Sequence, residues 1–173
     1  IVPTNSLQEV MRSINDEMEE IEILFDETQV RFRFGEIEIT SKLIYGTFPD
    51  YRQLIPKDNE VDIKLDRAEL TRVAKLAALF AREVGGSITC ETSSENSTFD
   101  VASVANEFGE NNSQISVEVE KDAKVALNSR FLLDALNVLE ENEISFSMSE
   151  KLSPVVIRNV KNKNYTHIIM PLK

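Results

Sequence analysis

Apolar residues return along this chain at two different spacings, and the alternation between the two divides it into like segments. Leu7, Val10, Met11 and Ile14 fall three and four positions apart and predict a helix of about three turns, capped by Thr4 or Asn5, with one face buried. Ile21, Ile23 and Phe25, then Val30, Phe32 and Phe34, then Ile37 and Ile39 recur at every second residue. That period predicts three strands, each with one face in a core. Asp26 to Gln29 and Gly35 mark the turns between them.

The same order comes round twice more. Val61, Ile63 and Leu65 form an entering strand, Asp66 caps a helix whose stripe is Leu70, Val73, Ala77 and Phe80, and Gly85 and Gly86 stop it. Strands are predicted near Ser87 to Thr92, Ser97 to Val104 and Gln114 to Glu120, with Gly109 to Asn112 as the last turn. Val125 and Leu127 then lead into Asn128 and a helix carrying Phe131, Leu132, Ala135, Leu136 and Leu139. Strands follow near Glu143 to Met148, Pro154 to Asn159 and Tyr165 to Met170. The helix starts at Asn5, Asp66 and Asn128 lie 61 and 62 residues apart. Self-similarity at such a period marks a copied unit, and the expected class is α+β, built from repeated helix-plus-antiparallel-sheet modules.

Gly46 to Asn59 breaks the period. Pro49 and Pro56, with Phe48, Tyr51, Leu54 and Ile55 around them, predict a stiff extended connector with more apolar surface than a flexible linker carries. The expected division is residues 1–48 as a half-domain, 49–59 as the connector and 60–173 as a complete domain of two units.

Composition narrows the function classes. With 42% hydrophobic residues and only five glycines and five prolines among 173 residues, the chain is able to bury a core. A net charge of −11 repels nucleic acid and anionic membrane at long range, so any such contact needs a local basic surface. No stretch approaches the roughly 20 apolar residues of a membrane helix. Cys90 is the only cysteine, which excludes an internal disulfide and is compatible with a reducing compartment. The chain opens at Ile1 without an initiator Met, and the expectation is a cut inside a longer protein.

Catalytic chemistry has little support. His167 is the single histidine and falls in an apolar strand, where a core or edge-strand role is expected over a catalytic base. One His and one Cys cannot assemble a metal cage, and no cofactor is expected. Glu17, Glu19, Glu20 and Glu22 read as a solvated face, and Gly85-Gly86 lacks the flanking pattern and lysine of a phosphate loop. The polar side of the second helix says more. Arg72, Lys75 and Arg82 share one arc with Leu79 among them, which points either to a solvated face balanced by Glu69 and Glu83 or to weak phosphate contacts. The first helix offers only Arg12 on its polar side and the third only Arg130. Affinity of this kind cannot by itself hold a protein on DNA, so a DNA role would require enclosure or a partner.

The string Phe48-Pro-Asp-Tyr-Arg-Gln-Leu-Ile-Pro56, preceded by Thr40-Ser-Lys-Leu43, and the ending Ile169-Met-Pro-Leu-Lys173 resemble the bacterial sliding clamp family, the beta subunit of DNA polymerase III. The repeat spacing, the Val2-Pro3 helix entry and the Asn128 to Leu139 helix agree with it along essentially the whole chain. The resemblance implies a DNA-clamp fold: a ring of two head-to-tail protomers with three similar domains each, helices on the inner face and sheets outside. This chain would be the second half of the middle domain and all of the last. Implied partners are duplex DNA, bound without sequence preference, replicative and repair polymerases and the clamp loader, in the bacterial cytoplasm at replication forks.

By the same resemblance, Arg12, Arg72 and Lys75 would face DNA, and Ala78 and Leu79 would meet the other protomer. The peptide pocket of the family would draw on Pro49, Gln53, Leu54, Asn128, Phe131, Leu152, Pro154, Met170, Pro171, Leu172 and Lys173, an apolar lining suited to short peptides with a glutamine and two apolar anchors. Gln53 stands where many relatives carry a basic residue, Pro154 where a small hydroxyl residue is common and Phe131 where Tyr is frequent, so partner preference should shift. Val84 aligns with a rim aromatic. The alternative function is a peptide-binding adaptor of similar fold with no DNA role.

Overall fold

A computed structural model describes all residues except 16, 17, 49, 106–108, 150–152, 163 and 173. The chain forms two compact units, Ile1–Asp50 and Tyr51–Lys173.

The smaller unit is one helix, α1 (Thr4–Ser13), and a three-stranded antiparallel sheet of β1 (Glu22–Phe25), β2 (Gln29–Phe34) and β3 (Ile37–Lys42) in the order β1-β2-β3. Its core is Val10 with Val30, Phe32 and Phe34, flanked by Val2, Met18, Ile39 and Leu43. The Ser6 and Ser41 hydroxyls meet at 2.6 Å and fasten the helix to β3. Two expectations need correction here. Only Val10 of the α1 stripe is buried, with Met11 72% exposed, and the apolar face of β1 lies open, with Phe25 78% exposed. The cause is geometric: a helix about 10 Å across covers about two strands spaced near 4.8 Å, and α1 sits against β3, two strands away from β1. Nor does Thr4 or Asn5 cap α1. Pro3 occupies the N-cap position, without a side-chain bond.

The larger unit holds two repeats of the order strand, helix, three strands. The first comprises β4 (Val61–Asp66), α2 (Arg67–Phe80), β5 (Ser87–Ser93), β6 (Thr98–Ala105) and β7 (Gly109–Ser116). The second comprises β8 (Ala123–Asn128), α3 (Ser129–Val138), β9 (Glu143–Met148), β10 (Val155–Asn159) and β11 (Thr166–Ile169). The sheets do not follow the repeats. One has the order β11-β10-β9-β4 and the other β7-β6-β5-β8, so each entering strand completes the sheet of the other repeat. Val61 to Asp66 pair with Met148 to Glu143, and Ala123 to Asn128 pair with Thr92 to Ser87.

Local chemistry explains the helix ends. The Asp66 carboxylate accepts the Glu69 N–H at 2.8 Å, satisfying one of the donors left over at the start of α2. At the far end a 3-10 turn, Ala81–Val84, stops at Gly85 in the left-handed region, and the Gly86 N–H returns to the Ala81 carbonyl at 2.8 Å. One core joins both sheets and both helices, with Leu70, Val73 and Ala77 of α2 and Leu132, Ala135 and Leu136 of α3 buried between them. Phe99 of one sheet meets Phe146 of the other edge to face, ring centres 5.2 Å apart. Phe80 is only half-buried and Phe131 is exposed, so each helix stripe sheds one expected core residue.

The stretch Gly109 to Asn112, expected as a turn, is strand: it pairs with Ala105 to Ala102. Its polar residues lie along a sheet edge, where solvent satisfies side chains that a central strand would have to bury. The strand also ends early, at Ser116. Cys90 is fully buried on β5, and burial pushes its thiol up to about 12. A thiol-specific reagent at neutral pH should therefore leave the native protein unlabelled and modify Cys90 at the unfolding midpoint and beyond. Rapid labelling without denaturant would contradict this packing.

Candidate functional site

Three pieces of the larger unit converge where β8 runs into α3. Asn128 ends β8 and caps α3 with its Oδ1, which accepts the Arg130 N–H at 3.0 Å. The amide of the same side chain donates through Nδ2 to the Gly85 carbonyl at 3.3 Å, and the Ser129 N–H donates to the Gly86 carbonyl at 2.8 Å. The turn that ends α2 is thus held against the start of α3 by one bifunctional side chain and one backbone bond. Backbone conformation explains the glycine: Gly86 has φ +81°, in the left-handed region that other residues rarely adopt.

The C-terminal segment supplies the second piece. The Leu172 N–H donates to the Ala126 carbonyl at 2.8 Å, which lays Met170, Pro171 and Leu172 beside β8, two residues from the Asn128 cap. Pairing of Val155 with Ile169 supplies the third, because one step further the register sets Pro154 opposite Met170. Met170 is 55% exposed, Pro154, Pro171 and Leu172 are half-buried, and Phe131 on the first turn of α3 is 52% exposed. Exposed Phe and Met with half-buried Pro and Leu offer apolar surface able to receive apolar side chains around the Asn128 cap.

Gln53 and Leu54 lie elsewhere in the chain order, at the end of the short 3-10 helix Tyr51–Gln53, where the Leu54 N–H bonds locally to the Tyr51 carbonyl at 3.0 Å. Both are exposed. Pro49, Leu152 and Lys173 lie outside the described residues. Sequence reasoning passed over Ala126 and Gly86, whose contribution is a backbone carbonyl. The glycine pair was visible as a helix stop, but nothing about an alanine signals its partner.

The basic arc is present on α2. Arg72, Lys75 and Arg82 are exposed, Leu79 is 63% exposed and Ala78 is half-buried. Arg72 stands 4.0 Å from Glu69, whereas Lys75 has no carboxylate within 4.0 Å among the described residues. Arg12 on α1 is exposed and paired with Glu9 at 2.7 Å. Leu79, Phe80, Arg82 and Glu83 border an open groove in which Leu79 and Phe80 supply the apolar part.

His167 lies on the edge strand β11, with Nδ1 2.8 Å from the Tyr165 hydroxyl. Burial lowers its pKa and Asp134 partly offsets that, so the ring is neutral at pH 7. The His167–Tyr165 pair reads as an edge-strand contact.

Residues 52–173 match the family model described as DNA polymerase III beta subunit, C-terminal domain, and residues 1–50 match the one described as its central domain. The beta sliding clamps of Staphylococcus aureus and Staphylococcus epidermidis are each 27% identical over 175 aligned residues, covering 100% of this chain and 46% of the relative. The chain therefore spans about half the length of the curated relatives it matches. Among solved structures, DNA polymerase III subunit beta of Pseudomonas aeruginosa superposes with a TM-score of 0.87 at 25% identity, covering 100% of this chain and 47% of that one. The Bacillus subtilis sliding clamp gives 0.84 at 27%, covering 99% and 46%. A further Pseudomonas aeruginosa clamp, solved bound to griselimycin, gives 0.83 at 25%, covering 100% and 47%.

Replacing Asn128 tests the joint. Asn128→Ala should cost about 1–2 kcal/mol in denaturant unfolding, since it removes the α3 cap and the bond to Gly85 together. Asn128→Asp keeps the cap acceptor and should recover part of that loss. Equal stability of the alanine variant and the parent would show that the cap contributes nothing.

Proposed function

Because the chain belongs to the DNA polymerase III beta subunit family, the bacterial sliding clamps, we propose that it is the C-terminal part of a noncatalytic processivity factor that surrounds duplex DNA and presents a peptide-docking surface. On this reading residues 1–48 are the second half of the middle domain, 49–59 the connector and 60–173 the last domain. The observation that carries it is the match of both clamp domain models end to end along one chain. A head-to-tail dimeric ring in the cytoplasm, at replication forks, completes the proposal.

The charge distribution supports retention by enclosure. A net charge of −11 opposes tight binding to a polyanion, and exposed helix cations such as Arg12, Arg72 and Lys75 offer only weak, salt-dependent phosphate contacts. A closed ring needs no more than that, and a duplex held loosely can slide. Ala78 and the exposed Leu79 are proposed to meet the other protomer, where an apolar side chain among cations would be buried.

The docking surface is proposed to comprise Asn128, Phe131, Pro154, Met170, Pro171 and Leu172, with Gln53 and Leu54 and, by sequence position, Pro49, Leu152 and Lys173. Polymerases and the clamp loader are its proposed partners, through peptides with apolar anchors. Its support is the convergence of exposed apolar side chains beside one polar cap, together with the Pseudomonas aeruginosa clamp solved bound to griselimycin.

Loading of the full-length protein onto circular DNA, followed by linearisation, tests enclosure. The expected result is stable association with the circle and rapid loss from the ends of the linear form. Persistence after linearisation would identify direct binding, and failure to load would favour the adaptor. For the docking surface, a peptide with a glutamine and two apolar anchors should bind at about micromolar strength, roughly 8 kcal/mol, and Leu172→Asp should weaken it at least about tenfold. Unchanged affinity would refute the assignment.

A further inference from the structure

Several cations on the outer faces of these sheets are matched across the strands by carboxylates. Arg33 reaches Glu22 at 3.3 Å and Glu38 at 3.1 Å, Arg31 reaches Glu38 at 3.3 Å, and Lys124 reaches Glu91 at 2.7 Å. Lys42 on β3 has no such partner among the described residues, and one row holds two unmatched cations together. Across β4, β9, β10 and β11 the register aligns Lys64, Ser145, Arg158 and Thr166. The neighbours of both cations in the row are hydroxyls. Among the described residues neither Lys64 nor Arg158 has a carboxylate within 4.0 Å, in a chain with 30 acidic side chains against 19 basic ones.

The internal repeat supplies a control. In the sister sheet the corresponding row is Ala126, Thr89, Ala102 and Asn112. The same backbone arrangement forms there without a charge, so the fold does not require Lys64 or Arg158. Both cations belong to one copy alone.

The row floors an open groove bordered by Asp62, Lys64, Ser145, Arg158 and Thr166. Asp62 Oδ1 is occupied by the Ser145 hydroxyl at 2.7 Å and the Ser147 hydroxyl at 3.0 Å. Arg158 Nε donates to Thr166 Oγ1 at 3.2 Å, which holds the guanidinium across the strands and leaves its Nη atoms to bind something else. Lys64 and Arg158 sit two strands apart, roughly 10 Å between Cα atoms, with Ser145 between them in the row. We infer that this row is a docking site for an acidic side chain, Asp or Glu, carried on an extended segment of a protein partner. Two cations against the Asp62 carboxylate leave a single net positive charge, which matches a carboxylate better than a doubly charged phosphate. The free edge of a guanidinium fits the two oxygens of a carboxylate. The site shares no residue with the apolar docking surface and does not depend on the function proposed above.

Calorimetric titration of the protein with acetyl-tetraglutamate amide at low salt tests it, with inorganic phosphate and acetate as competitors. Binding that weakens as salt is raised, and falls at least about tenfold in Lys64→Gln/Arg158→Gln, is the expected result. Arg158→Lys, which keeps the charge and loses the fork, should fall between the two. Lys124→Gln removes a cation already paired and should change affinity by less than about twofold. No binding by the parent protein, or equal binding by the double variant, overturns the proposal. Displacement by phosphate at concentrations where acetate has no effect overturns the carboxylate assignment. Should the double variant unfold, the comparison between Arg158→Lys and Lys124→Gln decides the matter alone.

Discussion

The strand before each helix of the larger unit hydrogen-bonds into the other repeat's sheet, and everything else in that unit is arranged around this exchange. Val61 to Asp66 close the sheet of β9 to β11, and Ala123 to Asn128 close that of β5 to β7. Neither repeat can satisfy its own sheet, so two copies of a sequence pattern make one cooperative body. The exchange also sets the helices side by side. Each starts directly at the end of a strand embedded in the opposite sheet, and the apolar stripes of both fall on a core shared by the two sheets. Arg67 reinforces the arrangement at the first residue of α2, donating to the carbonyls of Leu136 within α3 at 3.4 Å and of Glu141 beyond it at 3.0 Å.

The candidate docking surface grows from the same geometry. Asn128 is at once the last residue of an exchanged strand, the cap of α3 and a donor to the turn after α2. A side chain with both an acceptor and a donor is required there, which Asp, Ser or Thr would not supply in the same form. The C-terminal segment reaches this point because Leu172 bonds to the exchanged strand at Ala126. Apolar side chains from remote parts of the chain are brought to one surface by backbone bonds that involve no functional group of their own.

Electrostatics separates the faces of the molecule. On the outer sheet surfaces Arg31, Arg33 and Lys124 are tied to carboxylates in the neighbouring strand, which weakens the field around them. Exposed pairs of this type contribute little to stability and are better understood as neutralising devices. Among the described residues, cations with no carboxylate within 4.0 Å, such as Lys75 on α2 and the Lys64 and Arg158 row, are free to attract an outside anion. A strongly acidic chain can therefore present small positive sites without becoming adhesive to polyanions in general.

Much of this was legible in the order of residues. Among the described residues, period-two and period-3.6 spacing located the three α-helices and the strands other than β7, which was set too far along the chain, because burial of one face imposes those periods. Asp66 and Asn128 were readable as caps because the bond they make is local. The failures share a cause. Which apolar face is covered depends on how far a neighbouring helix reaches, so Phe25, Met11 and Phe131 look like core residues in sequence and lie exposed in the structure. Gly109 to Asn112 carry turn residues, yet at a sheet edge those residues are compatible with a strand. The exchange of β4 and β8, the bond from Leu172 to Ala126 and the missing carboxylates beside Lys64 and Arg158 join residues distant in the chain. No local preference encodes such pairings, and only the packed structure decides them.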